Sequence, residues 1–201
     1  KLSGSERKFA QRMTRKARAL GMKRTVFKNA SGLPNRRQKS TASDMAKLAV
    51  AMRRDFPKFF KYFSKRSFNW QGRKFNNHNK LLSKYNGTDG IKTGYIDASG
   101  FNLVATVERN GIRLIGVVFG GKTSHSRDRH MMQILDNQFK RVKTVRTRRA
   151  NLSVPKTLPM APPERSQERS TFLPINKTVS HQIHSKKPEQ FIDLNVAIPT
   201  N

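Results

Sequence analysis

The sequence predicts an α+β fold in which helices pack on an antiparallel sheet. Three patterns predict it: helical spacing of apolar residues ahead of Pro57, two runs of strand length on either side of Asn110-Gly111, and renewed helical spacing from Met131 to Phe139. The 201 residues give room for one domain plus a tail, and a 35% apolar content with 13 Phe can supply a core for part of that length.

In chain order, Ser3 and Glu6 have capping-box spacing, and Phe9, Met13, Ala17 and Leu20 follow at helical intervals until Gly21 offers a C-terminal stop. A first helix is expected over residues 4–20. Asn29 to Asn35, with Gly32 and Pro34, read as loop. Thr41 and Asp44 again have cap spacing, and Met45, Leu48, Ala49 and Met52 continue a second helix that ends before Pro57. Phe56, Phe59, Phe60, Tyr62 and Phe63 predict a short aromatic turn packed in the core. Residues 101–107 and 112–119 are strand-like runs joined by Asn110-Gly111, a pair favoured in tight hairpin turns. Met131, Ile134, Leu135 and Phe139 mark a closing helix. Periodicity fails after Lys143, and seven of the nine prolines lie between Pro155 and Pro199. The expected organisation is a folded part, 1–143, and a basic, Pro-rich, mostly disordered tail, 144–201.

Net charge is +30, from 42 Lys and Arg against 12 Asp and Glu. Such a field attracts phosphate, anionic lipid or an acidic polymer. The excess is spread through both parts of the chain, and neither a zinc-finger, a basic-zipper nor an aromatic RNA-stacking signature accompanies it, so nucleic acid is the weaker reading. With no cysteine, disulfides and thiolate chemistry are excluded, and no His/Glu ligand cluster suggests a metal. No run reaches the length of a membrane-spanning helix. The chain opens on Lys1, and residues 1–30 lack a secretory pattern, so further sequence is expected upstream.

The informative segment is Asp89-Gly90-Ile91-Lys92-Thr93-Gly94-Tyr95, just ahead of the hairpin. A Lys-Thr-Gly triplet alone is weak, but it is the third signature of penicillin-binding proteins and serine β-lactamases. Around it stand Gly4-Ser5-Glu6, Ala19-Leu20-Gly21-Met22, Ser40-Thr41-Ala42-Ser43-Asp44, Asn77-His78-Asn79-Lys80-Leu81-Leu82, Gly100-Phe101-Asn102-Leu103-Val104-Ala105, and Gly120-Gly121 with Thr123 and Arg127. In order and spacing, residues 3–142 resemble the later part of the D-alanyl-D-alanine carboxypeptidases, which are penicillin-binding serine peptidases.

The resemblance implies the second half of a β-lactamase/transpeptidase-like domain, without metal or organic cofactor. It also implies a reaction in which a serine cleaves the bond between two D-alanines at the end of a peptidoglycan stem peptide. β-Lactams would acylate that serine in the full-length parent, and the location would be the bacterial periplasm or envelope, facing anionic wall polymer or lipid. The carried-over roles are Lys92 beside the nucleophile and on the substrate anion, Thr93 and Gly94 on the substrate, and the Tyr95 N–H in the oxyanion hole. Arg127 would hold the terminal carboxylate; the alternative is a solvated arginine ahead of a helix. Asn77 and Asn79 would stabilise the approach to the active-site strand, with His78 at the surface. The family's Ser-x-x-Lys and Ser-x-Asn motifs would lie upstream of Lys1. Ser5-Glu6-Arg7-Lys8, Ser67-Phe68-Asn69 and Ser153-Val154-Pro155-Lys156 match such motifs in letters only: the first falls in a later helix of the resembled family, the second sits too close to Lys92 in an aromatic-rich stretch, and the third is broken by proline and follows the triplet. The stretch alone is expected to be inactive. Alternatives are a truncated product, or a basic protein that binds nucleic acid or wall polymer through charge.

Overall fold

The computed structural model describes the backbone of residues 2–152 and side chains to 143. Helix α1 (Glu6–Ala19) starts at Ser5, whose Oγ accepts the Lys8 N–H at 3.2 Å, two residues after the expected cap at Ser3. It stops at Gly21, which has φ +78°, while the Met22 N–H returns to the Ala17 carbonyl at 2.9 Å. Helix α2 (Ala42–Asp55) is capped by Thr41, whose hydroxyl accepts the Asp44 N–H at 3.2 Å. Asp44 is buried and also faces backward: its Oδ2 accepts the Arg24 N–H at 2.8 Å and the Thr25 hydroxyl at 2.7 Å. One carboxylate thereby ties α2 to the segment that leaves α1.

Pro57 opens the short helix α3 (Pro57–Phe60), where its missing N–H costs nothing, and a 3-10 turn (Lys61–Ser64) follows. Only part of this aromatic run enters the core. Phe60 is buried and meets Phe63 edge-on at 5.4 Å, whereas Phe56, Phe59 and Tyr62 are exposed, contrary to the expectation that the run packs inside. A hairpin that the periodicity did not signal comes next, β1 (Ser67–Trp70) and β2 (Arg73–Asn76), turning through Gln71 and Gly72 at positive φ. Seven of its eight strand residues are exposed, so there is no buried face to write an alternating pattern into the sequence.

After the turn of helix α4 (Leu81–Lys84), the chain builds the main sheet from β3 (Thr88–Ile96), β4 (Gly100–Arg109) and β5 (Ile112–Gly121), antiparallel in the order β3-β4-β5. Asn110 and Gly111 both have positive φ, as the hairpin turn requires. Helix α5 (Ser124–Leu152) packs Met131 and Leu135 onto Leu103, Val107, Leu114 and Val118 of one sheet face. Full burial of side chains of this kind contributes about 1.5–3 kcal/mol each. At Gly116 a Cβ would run into the Met131 sulfur, so the glycine sets how closely α5 approaches. The opposite face packs Ile115 and Val117 against Ala46, Ala49 and Phe60.

Helix α5 begins at Ser124, earlier than the apolar spacing indicates, and continues through Leu152. Residues 144–152 are therefore helical where the sequence was read as tail. Arg and Ala favour helix without needing an apolar stripe. Residues 153–201 of the expected tail lie outside the described residues. No helix among the described residues is long and apolar enough to cross a membrane.

Candidate active site

The triplet Lys92-Thr93-Gly94 lies in the middle of β3, on the strand expected to pair with the hairpin. Lys92 pairs with Val104, Thr93 with Leu103, Gly94 with Asn102 and Tyr95 with Phe101. Among the described residues β3 has β4 on one side and no strand on the other. Except at Gly90, whose carbonyl accepts from Asn79, this leaves the outer edge of β3 without a strand partner, the arrangement an extended ligand can use.

Lys92 is exposed, and its ammonium folds back to donate to the Thr93 carbonyl. Gly94 has ordinary strand dihedrals, and a Cβ built on it meets nothing within 4 Å. Among the described residues nothing in the packing requires a glycine there, unlike Gly100, where φ is +62° and a Cβ would lie 2.8 Å from the Gly121 carbonyl oxygen. The Tyr95 ring lies 4.4 Å from that of Phe101, centroid to centroid, and its hydroxyl donates to Asp97 at 2.7 Å. That hydrogen bond and the adjacent carboxylate raise the phenol's pKa above its ordinary value.

Arg127 is not the solvated arginine of the alternative reading. It is buried, its Nε and Nη2 donate to Asp128 at 3.0 and 2.6 Å, and its Nη1 donates to the Asn102 carbonyl at 3.3 Å. Asn102 is the register partner of Gly94, so the guanidinium is bonded to the strand beside the triplet. Its fork is filled by the chain's own carboxylate. Gly121 makes this possible, because a Cβ there would lie 2.7 Å from the Arg127 Cβ. Asn102 adds a second tie: its amide donates to Ser99 Oγ at 2.8 Å, and its Oδ1 accepts the Gly120 N–H at 3.1 Å, joining the β3–β4 turn to the end of β5.

The entry to β3 is held from two sides. Asn79 is buried; its Nδ2 donates to the Gly90 carbonyl at 3.1 Å and its Oδ1 accepts the Leu81 N–H at 3.2 Å. Asn77 accepts the Asn79 N–H at 2.9 Å and donates to the Lys65 carbonyl at 2.9 Å, while His78 is exposed. On the other side Arg113 donates to Asp89 Oδ2 at 2.6 Å and to Glu108, and Asp89 accepts the Thr106 hydroxyl. Arg53 comes within 3.9 Å of both carboxylates. The motif reading missed this cluster. Its trace in the sequence is a charge, Arg113, inside the apolar run of β5, which needs a carboxylate on the same face.

Of the residues expected at the site, β3 brings Lys92, Thr93, Gly94 and Tyr95 together, and Arg127 reaches the same region through Asn102. A cavity of about 680 Å³ between α1 and residues 26–37 contains none of them. Ser5 and Lys8, the letters of a nucleophile motif, sit at the exposed start of α1, where Ser5 Oγ serves as helix cap. Among the described residues no group of three His, Cys, Asp or Glu is placed to hold a metal.

The sequence model of the D-alanyl-D-alanine carboxypeptidases matches residues 1–123. The chain belongs to this family. D-alanyl-D-alanine carboxypeptidase DacF of Bacillus subtilis (strain 168) is 32% identical over 201 residues, 98% of this chain and 50% of that protein. Penicillin binding protein 5 of Haemophilus influenzae, a solved structure, superposes with a TM-score of 0.66 at 34% identity, covering 69% of this chain and 41% of the other. Penicillin-Binding Protein D2 of Listeria monocytogenes, solved in its cefotaxime-bound form, gives 0.57 at 32% identity over 62% of this chain and 53% of the other. The mixed helix and antiparallel-sheet fold is similar to part of these penicillin-binding protein structures, and the chain spans about half the length of the DacF relative.

Proposed function

We infer that this chain carries the substrate-binding strand of a serine-type D-Ala-D-Ala carboxypeptidase, and that the nucleophile comes from sequence outside these 201 residues. The observation that supports this most is Gly94, a glycine that the described fold does not need, on a strand that has no second strand neighbour among the described residues. A stem peptide ending in D-Ala-D-Ala would lie along β3. Gly94 would let it approach the backbone, and Thr93 would donate its hydroxyl to the terminal carboxylate. Lys92 would swing off the Thr93 carbonyl to assist proton transfer at the serine. For the Tyr95 N–H to stabilise the tetrahedral oxyanion it must be one of the outward-facing donors of β3. Arg127 would bind the carboxylate only after exchanging Asp128 for it; until then it stiffens the strand beside the triplet.

β-Lactams would acylate the same serine in the full-length parent, as the cefotaxime-bound relative suggests. The envelope of a bacterium is the location such a substrate implies, and the basic surface would there face anionic wall polymer or lipid. The test uses a longer chain, with a segment carrying Ser-x-x-Lys and Ser-x-Asn placed ahead of residue 1. Lys92→Ala is expected to slow acylation by a fluorescent penicillin about 10²–10⁴-fold, the usual worth of a positioned proton-transfer group. Undiminished labelling would overturn the assignment.

A further inference from the structure

The hairpin β1–β2 takes no part in the site above, and its register divides it into two chemically different faces. Phe68 pairs with Phe75 and Trp70 with Arg73, so these four share one face. Phe68 is 63% exposed and Trp70 64%, a large apolar area for a four-residue strand. The two Phe rings stack on each other at 5.1 Å and 15°, and the Arg73 guanidinium sits 5.8 Å from the Phe75 ring. The other face, with Ser67, Lys74 and Asn76, lines a cavity of about 280 Å³ shared with Arg66, Lys80 and Lys84. No carboxylate lines it. From Phe56 to Thr88 the chain holds eight Lys and Arg and not one Asp or Glu.

A partner that accepts both faces has to present negative charge and hydrocarbon side by side. We propose that the β1–β2 hairpin docks on an anionic lipid bilayer, with Phe68, Trp70 and Phe75 entering the interface and the cations of the adjoining cavity meeting lipid phosphates. Trp and other aromatic rings favour the headgroup level, and flanking Lys and Arg are drawn to an anionic leaflet. A neutral glycan would leave the unopposed cations unanswered. A single-stranded nucleic acid needs free ring faces for its bases, and the stacked Phe pair has already spent one face of each ring.

Trp70 is the chain's only tryptophan, so its fluorescence reports on the hairpin alone. With the 201-residue chain and vesicles of equal parts phosphatidylglycerol and phosphatidylcholine, Trp70 emission is expected to shift to the blue and to be quenched by lipids brominated along the acyl chain. Vesicles of phosphatidylcholine alone are expected to produce neither change. Phe68→Ser with Phe75→Ser, which keeps the reporter, is expected to weaken this binding by about tenfold or more. Arg73→Glu with Lys74→Glu should weaken it too, and far-UV circular dichroism of both variants checks that the fold survives. Adsorption of the chain with Trp70 still open to aqueous quencher would overturn the proposal, because it would show attraction by net charge without insertion. So would shielding of Trp70 by an oligonucleotide or a wall glycan in the absence of any response to vesicles.

Discussion

At the scale of single residues, two positions on β3 and α2 show opposite relations between fold and function. Gly94 has no conformational or packing reason to be glycine, so Gly94→Ala should leave stability unchanged or raise it by about 0.5–1 kcal/mol through reduced freedom of the unfolded chain. In the longer chain the same substitution should impair acylation by penicillin, because the methyl group would stand where the ligand meets the strand. Urea unfolding of the 201-residue chain and labelling of the longer one together check this. Asp44 is the reverse case. Burial alone would raise its pKa, but the Thr25 hydroxyl, the Arg24 N–H and Lys47 outweigh it and hold the carboxyl below its ordinary 3.8. A group whose folded pKa is depressed stabilises fully above its unfolded value and loses that contribution as pH falls through the folded one. Asp44→Asn is therefore expected to cost about 1–3 kcal/mol at neutral pH and to flatten the acid limb of the stability profile. Thermal unfolding from neutral pH down through the carboxylate range would show it.

At the scale of elements, β3 is positioned by polar ties rather than by a deep apolar face: Asn79 holds Gly90 from one side, and Arg113 with Thr106 holds Asp89 from the other. Arg113→Ala should destabilise the chain by roughly 2–3 kcal/mol, less than for a fully buried pair because Asp89 and Glu108 reach water. Denaturant midpoints would measure this. If Arg113 were merely a surface charge, the midpoint would not move. Elements with one buried face were legible in the sequence: α1, α2, the β4–β5 hairpin and the apolar part of α5 all announce themselves by period, and Asn110-Gly111 announces its turn. The β1–β2 hairpin was not legible, since exposed strands carry no alternation, and neither was the outward turn of Phe56, Phe59 and Tyr62, since a Phe reads as core whether or not anything covers it. At the site, the triplet was legible as a motif, but the ion pair between Arg127 and its own neighbour Asp128 was not. Residues adjacent in sequence pair only if local geometry turns both the same way, which no spacing rule encodes.

At the scale of the whole molecule, the sheet carries the Lys92-Thr93-Gly94 triplet on its edge strand, and in the proposed reading the serine that uses it comes from sequence outside these residues. In the proposed mechanism Lys92, Thr93 and the Tyr95 N–H would position and polarise an acyl group, but an acyl-enzyme needs an activated serine oxygen, and half of the oxyanion hole would belong to that serine. Ser5 does not fill the gap: its Oγ caps α1 by accepting the Lys8 N–H, and among the described residues its hydroxyl donates to no base. The 201-residue chain is accordingly expected neither to release D-alanine from a D-Ala-D-Ala peptide nor to retain a fluorescent penicillin through denaturing electrophoresis, while the longer chain with both upstream motifs does both. Ser5→Ala in the longer chain should leave acylation unchanged and cost only the cap, about 0.5–2 kcal/mol of stability. Covalent labelling of the 201-residue chain that Ser5→Ala abolishes would show instead that α1 begins with the nucleophile and that β3 serves a site built wholly within these residues.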